Sequence, residues 1–430
     1  MKRTVLSLFA LFLVTSVLAQ GLSVTPNHPV GEGKGIFPGR VIWAMDSEVT
    51  KWDGTTGRWW DEGNIDPTLL ENMYENSICA LAGSDDIRKA WDKIFHYHNK
   101  THGKGNRGYR PGETIAVKIN LNNTFATDDS DNDIDQSPQA TVALLQQLTR
   151  RAGVPQENII VYDATIGWKP RAIPDRLYGP VHQLFPKVRW MSAEGSEGID
   201  AADWVDNAIS YTDSTVSLGT VLPRAVVEAD YLINAALLKG HEISGVTLCA
   251  KNHFGSIPFP AKMHGSATVS QMSGNEGDYS AYVDLMGSPN LGKKTLLYIV
   301  DGLYGMQTNV GAPQPDRDKW KTLGGGWSSS LFMSLDPVAI ECVCLDFLYA
   351  EFGNELGFSG APQFPEGSSR NCDNYLKEAA KGKNDRLGDY RPNGIKTGSL
   401  GVFEHWNNSR DRQYSRNLGK SEGIELITIQ

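Results

Sequence analysis

The sequence predicts an α/β protein: a mostly parallel sheet covered by helices on both faces, with irregular N- and C-terminal extensions. Two observations predict it. Glu113 to Leu121, Asn158 to Asp163, Tyr231 to Leu238 and Lys294 to Asp301 are apolar almost throughout instead of alternating, which marks strands buried on both faces. They are separated by longer segments with helix-start signals, the order expected of crossover connections in a parallel sheet. A third observation points to the site. Asn120, Asp163, Lys239, His241 and Asp301 all fall at strand ends, and such sheets bind ligands outside the carboxyl ends of their strands.

Composition sets the outer limits. The chain has 430 residues, 40% hydrophobic and 21% charged, which is ordinary for a globular protein. We expect an N-terminal extension with helices over 20–112, an α/β core over 113–352 and a C-terminal extension over 353–430 packed on that core. The net charge of -9 argues against a nucleic-acid partner, because phosphate binding needs a basic surface. Lys2-Arg3, the apolar run Val5 to Val14 and the small Ala19 read as a secretory signal peptide over 1–19, cut before Gln20. The apolar run is shorter than the roughly 20 residues a membrane helix needs, and no later segment reaches that length. The expected protein is therefore exported, periplasmic or secreted, with no transmembrane segment after signal removal. The five cysteines, Cys79, Cys249, Cys342, Cys344 and Cys372, are too few for a disulfide scaffold in so long a chain. They include no C-x-x-C, so no iron-sulfur framework exists. Buried thiols, or one disulfide using Cys372, both fit.

Taken in order, Arg40 to Asp46 reads as the first strand, and its Trp43 falls close in sequence to Trp52, Trp59 and Trp60. These rings read either as core cover or as an aromatic wall for a ligand. Asp66 to Ala82 and Ser84 to Tyr97 read as helices, the second opened by the capping run Ser84-Asp85-Asp86. His96, His98 and His102 have a spacing that admits metal, but the segment is polar and ends at Gly103. Glu113 to Leu121 carries Lys118 and Asn120 on one face. The acidic loop to Gln136 imitates the start of a calcium loop and then lacks its glycine and its final glutamate, where Ile134 and Ala140 stand. Ser137-Pro138 caps a helix to about Arg151. Asp175 to Phe185 and Tyr279 to Met286 read as helices, and Leu331 to Ser334 as a short strand. Asp336-Pro337 opens a long helix to Phe352, and Gly423 to Gln430 an edge strand.

Tyr231 to Ser256 concentrates chemistry. Its apolar strand releases Lys239, Gly240 and His241 into an expected turn, and Lys251, Asn252 and His253 follow shortly after. The neighbours are Val, Leu, Cys and Phe, so these cations and amides belong to a sheltered place rather than a bland surface loop. Two readings compete: a ligand site, or cations and acids paired with one another in the core. In the first, Lys118, Lys239 and Lys251 hold an anion. His241, kept neutral by its lysine neighbours, is general acid/base or a metal ligand. Asn120, Asn252 and Asp336 bind substrate. Asp163, Asp301 and His241 admit a divalent metal. These residues are expected to face one another around one crevice.

VKINLNN at 117–123, LINAALLKGHEISGVTLCAKNHFGS at 232–256, LLYIVDGLYG at 296–305 and SLDPVAIECV at 334–343 resemble, in order and spacing, the conserved blocks of domain-of-unknown-function family 362. The resemblance covers roughly Glu113 to Phe352 and implies a shared site without naming a reaction. Gly240, His253 and Glu341 stand where the family usually has Thr, an aliphatic and Asp. Some members are fused to ferredoxin cysteine motifs; this chain carries none, which removes any direct case for electron transfer. No nucleophile elbow, zinc-protease motif or phosphate-binding loop occurs. The expectation is an exported enzyme acting on an anionic or metal-bound small molecule, with a non-catalytic periplasmic binding protein as the alternative.

Overall fold

The computed structural model describes residues 25–121, 124, 127–128, 132–166, 169–214, 219–241, 244–258, 279–356 and 372–430. The expected signal peptide, Asp129, Asp131 and His264 lie outside them. Among the described residues one sheet has ten strands. In chain order the main elements begin with β1 (Arg40–Met45), α1 (Pro67–Ala82), α2 (Ile87–Thr101), β2 (Ile115–Lys118) and α3 (Pro138–Gln146). Then come β3 (Ile159–Asp163), α4 (Asp175–Leu184), β4 (Arg189–Ser192), β5 (Asp200–Ala201), α5 (Arg224–Glu228) and β6 (Tyr231–His241). A hairpin strand β7 (Gly245–Thr247) leads into the short α6 (Cys249–Asn252), and α7 (Ala281–Gly287) precedes β8 (Thr295–Met306). The chain continues through β9 (Ser330–Ser334), α8 (Pro337–Phe352), α9 (Cys372–Lys381) and β10 (Glu425–Ile429).

The strand order is β10-β1-β9-β8-β6-β2-β3-β4-β5, with β7 paired to β6. All pairs from β8 through β6 to β5 are parallel, as is β10 with β1. β9 runs antiparallel to both of its neighbours. The α/β expectation is met. The outer segments, however, are more than extensions: β1 and β10 extend the sheet of the 113–352 region, so the sheet crosses both expected boundaries.

Local signals start the helices where the sequence places them. Asp66 and Asp86 accept from the two backbone amides at their helix starts, and Ser137 accepts from Ala140, offsetting the unpaired N–H groups of a first turn. α1 turns Leu70, Met73, Tyr74, Ile78 and Leu81 inward, each worth roughly 1.5–3 kcal/mol of burial. α8 is buried on every side from Pro337 to Leu348, the mark of a helix enclosed by other layers. One core, beneath α6 to α9, takes Leu232, Ala236 and Leu238 of β6; the other, beneath α1 to α4, takes Ile233, Ala235 and Leu237. The tryptophans divide between them. Trp43 packs on Phe347 at 4.6 Å between ring centres, while Trp52 stacks on Trp327 at 5.4 Å on the other face, so they form no common wall. All five cysteines are free thiols, Cys79 half-buried and the others buried. Among the described residues no helix is long and apolar enough to cross a membrane.

Candidate functional site

After β2 the chain builds outward through β3, β4 and β5; after β6 it builds the other way to β8. The order therefore reverses between β2 and β6, the position where open α/β sheets bind ligands outside the carboxyl ends. Lys118 ends β2, Asp163 ends β3, Lys239 and His241 end β6, and Asp301 lies in the carboxyl half of β8.

On one face the polar residues are locked together. The Lys118 amine donates to Asp163 Oδ2 at 3.0 Å, to Asn252 Oδ1 at 3.1 Å and to the carbonyl of Ile119. Asp163 also accepts from the backbone of Leu121 and Thr165, both at 3.0 Å. Asn252 receives Asn120 Nδ2 at 3.2 Å and donates to Asn234 Oδ1 at 2.8 Å and Ala235 O at 3.1 Å. Asn234 in turn donates to Cys249 O at 2.9 Å and lies 3.2 Å from His253 Nε2. Burial pushes the Lys118 amine down and Asp163 opposes it. Burial, then Lys118, pushes His253 down to about 3, so its imidazole is neutral. Gly255 closes over the ion pair: a Cβ there would stand 2.1 Å from Lys118 Nζ and 2.9 Å from Asp163 Oδ1. Lys118, Asp163, Asn252 and Asn234 thus form a buried, mutually paired network that ties the four-residue α6 to β2, β3 and β6.

Lys239 behaves differently. The structure extends β6 through Lys239, Gly240 and His241 where the sequence suggested a turn. Lys239 pairs with Met306 of β8 on one side and with Thr247 of β7 on the other, because β7 enters the lane that β2 leaves when it ends. Alternation puts Lys239 on the face of Ile233, Ala235 and Leu237, opposite to Lys118, which shares the face of Ala116. Lys239 is fully buried, and among the described residues its amine has no hydrogen-bond partner. Burial pushes it down to about 8; Asp135 and Asp133 raise it, and Arg171 lowers it further. On the same face Asp301 and Asp135 line a small cavity with Leu237, Trp59 and Tyr304. Burial lifts Asp301 up to about 6, against one hydrogen bond from Leu303 N at 3.0 Å.

Lys251 is half-buried, its amine 4.4 Å from the centre of the Phe254 ring. Burial pushes its affinity for a proton well down, and the cations Arg171, Lys239 and Lys118 push it further. Lys251 thus stands within electrostatic reach of three other cationic side chains, and Asp163, Asp135 and Asp133 offset the group in part. His241 is buried, and its Nδ1 accepts from the backbone N–H of Ser244 at 3.1 Å. A backbone N–H can only donate, so the neutral ring carries its proton on Nε2. In that tautomer His241 presents an N–H hydrogen-bond donor, which suits an electrophile better than a base or a metal ligand.

A family model described as Domain of unknown function (DUF362) matches residues 115–346, more than half of the chain. The chain belongs to this family. No curated protein matches it. The DUF362 match begins at the first residue of β2 and ends inside α8, so it spans both groups of site residues and leaves β1 and β10 outside.

Asp336 is not part of the switch-point edge. Because β9 is the strand that runs antiparallel, its end lies at the opposite edge of the sheet, beyond Tyr298 in the register. There Asp336 caps α8, accepting from Val338 at 3.0 Å and Ala339 at 2.9 Å with one oxygen. Its other oxygen accepts from Lys34 at 2.7 Å and Val402 at 3.2 Å. The expected metal set of Asp163, Asp301 and His241 does not assemble either. Asp163 already receives Lys118 and two backbone amides, and among the described residues no three His, Cys, Asp or Glu side chains group to hold a metal. The histidines at the end of α2 form no metal group either: His98 is buried and stacks on His102 at 4.0 Å, while His96 pairs with Asn106. Sequence reasoning assigned no role to Arg171, Thr247, Asn234 or Gly255. Asn234, Thr247 and Gly255 had a signal, since all three lie inside the 232–256 block that carries the family resemblance.

Proposed function

We propose that the protein is exported and binds a small organic anion at the carboxyl edge between β2 and β6, with Lys239 as the principal contact. Lys251 and Arg171 supply further positive charge, and the Nε2–H of His241 acts as an electrophile, polarising an oxygen of the bound molecule through a hydrogen bond. One observation carries this reading: a fully buried lysine amine with no hydrogen-bond partner among the described residues, at the strand-order reversal. Burying such a group is costly unless something pairs with it, and an anion of the right size restores the missing partner. A second reading, a non-catalytic binding protein, is favoured by the way Lys118, Asp163 and Asn252 are engaged with one another, which withdraws them from chemistry.

Titrating succinate and phosphate into the purified full chain and into Lys239→Met tests the anion site. Binding should be present in the first and absent in the second; equal affinities would dismiss Lys239. Once a substrate is found, His241→Gln separates the two readings, because an enzyme would keep binding and lose turnover. Export is tested by the N-terminal mass of material from the culture fluid or periplasm, expected to start near Gln20.

A further inference from the structure

Lys239 is not the only group of its sheet face left without a partner. The Thr247 hydroxyl, directly across the β6–β7 pair from Lys239, has none among the described residues, although Thr247 is 2% exposed. Residues directly opposite in an antiparallel pair project to the same face, with Cβ atoms about 4.5–5.5 Å apart. The amine and the hydroxyl therefore stand side by side, both buried and not bonded to each other. Both can donate, and buried polar groups in folded proteins are nearly always paired. Two adjacent donors suit one acceptor group with two oxygens.

Two features limit what that group can be. The first is charge. Around the edge Lys118, Arg171, Arg176, Lys239 and Lys251 stand with Asp133, Asp135, Asp163 and Asp301. Among the described residues that leaves a single positive charge over. One negative charge balances the set, and a second would be set against Asp135 and Asp133, which already act on Lys239. The second feature is the helix start next to Thr247. Phosphates are typically held by backbone N–H groups at such a start. α6 begins two residues after Thr247, but its Ala250 N–H donates to Glu341 Oε1. The place that would receive a phosphate is taken by the protein's own carboxyl group.

We infer that the ligand is a monocarboxylate, gripped at its two oxygens by the Lys239 amine and the Thr247 hydroxyl, and that the surrounding acids select against a second negative charge. The inference rests on the anion site proposed above and narrows its ligand. A planar carboxylate presents two oxygens side by side, one for each donor. Thr247 thereby becomes a binding residue, and Asp133, Asp135 and Asp301 set the charge that the site accepts. A dianion still meets Lys239, but it binds weakly, because like charges set against one another penalise the wrong partner.

Calorimetric titration of the full chain with succinate, monomethyl succinate and phosphate tests this. Succinate and its monomethyl ester share a skeleton and differ by one charge. The ester should bind at least about tenfold more tightly than succinate or phosphate. Asp301→Asn removes one acid and should narrow the gap between ester and succinate. Thr247→Val, close in shape and lacking the unpaired hydroxyl, should weaken the ester by about tenfold while the unfolding midpoint stays in place. If succinate or phosphate binds as tightly as the ester, and the binding disappears in Lys239→Met, the anion site stands and the monocarboxylate inference falls. If none of the three binds, the anion site falls and takes the inference with it. An ester preference unchanged in Asp301→Asn would trace to the methyl group instead of the charge and would overturn the inference. Full affinity for the ester in Thr247→Val would overturn it as well.

Discussion

Replacing Lys239 with methionine should make the ligand-free protein more stable. Burial takes the amine from its usual 10.5 down to about 8. Each tenfold change in proton affinity corresponds to about 1.4 kcal/mol, so holding the charged amine in this position at pH 7 costs roughly 3 kcal/mol. The sign follows from which state holds the proton more tightly. The unfolded chain does, so the cost is full below pH 8, shrinks as the pH climbs from 8 to 10.5, and is gone above. Methionine fills nearly the same volume without a charge, so Lys239→Met recovers most of that cost near neutrality. Urea unfolding of both proteins at pH 7 and pH 10 measures it. The variant should be more stable by up to about 3 kcal/mol at pH 7, with the gap down to about 1 kcal/mol at pH 10. A saturating ligand should also close the gap at pH 7, because it stabilises only the lysine form. A variant less stable than the parent at pH 7 would refute the reasoning, since the amine would then have a structural partner. An equal gain at both pH values would show that packing and not charge was responsible.

Lys118 should respond in the opposite direction: Lys118→Met strands Asp163 in the core and should cost about 3–5 kcal/mol in the same urea assay. Gly255→Ala should disrupt the same pair, because its Cβ would meet Lys118 Nζ at 2.1 Å, and a loss comparable to Lys118→Met is expected on the unfolding curve. Asp336→Asn should keep the α8 cap through one oxygen but turn an amide N–H toward the Lys34 and Val402 amides. A loss of roughly 2 kcal/mol or more is expected, with anion affinity unchanged by titration.

Much of this fold follows from local signals that a sequence displays directly. The buried strands are apolar runs and the helices begin at Asp66, Asp86, Ser137 and Asp336, because a cap needs only a short side chain and the next three amides. Strand direction is not local. The reversed course of β9 depends on its pairing with β1 and β8, and it alone sends Asp336 to the far edge. The continuation of β6 through Lys239 was hidden for a related reason: a lysine and a glycine look like a turn until β7 and β8 supply partners on both sides. Sheet membership of β1 and β10 is likewise long-range, since Arg40 and Glu425 meet only after the whole domain has formed. At the site, the clustering of Lys, His and Asn was legible, and so was the family resemblance. Which lysine was already spoken for was not, because Asp163 and Asn252 reach Lys118 across 45 and 134 residues of chain.

The two central lysines explain each other. Lys118 and Asp163, with Asn252 and Asn234, fasten α6 against the ends of β2, β3 and β6, and Glu341 of α8 accepts from Ala250 N at the start of that helix. α6 is too short to hold itself, yet it carries Lys251 and starts two residues after Thr247. A charge network that is satisfied internally can fix such a segment without drawing on the ligand, and rigid support is what an anion contact needs in order not to lose its affinity to ordering. On the proposed reading, Lys239 is the group whose pairing waits for a ligand. On this division of labour, changes at Lys118 should alter anion affinity only as far as they loosen α6. Changes at Lys239 should alter affinity directly while leaving the fold intact or firmer.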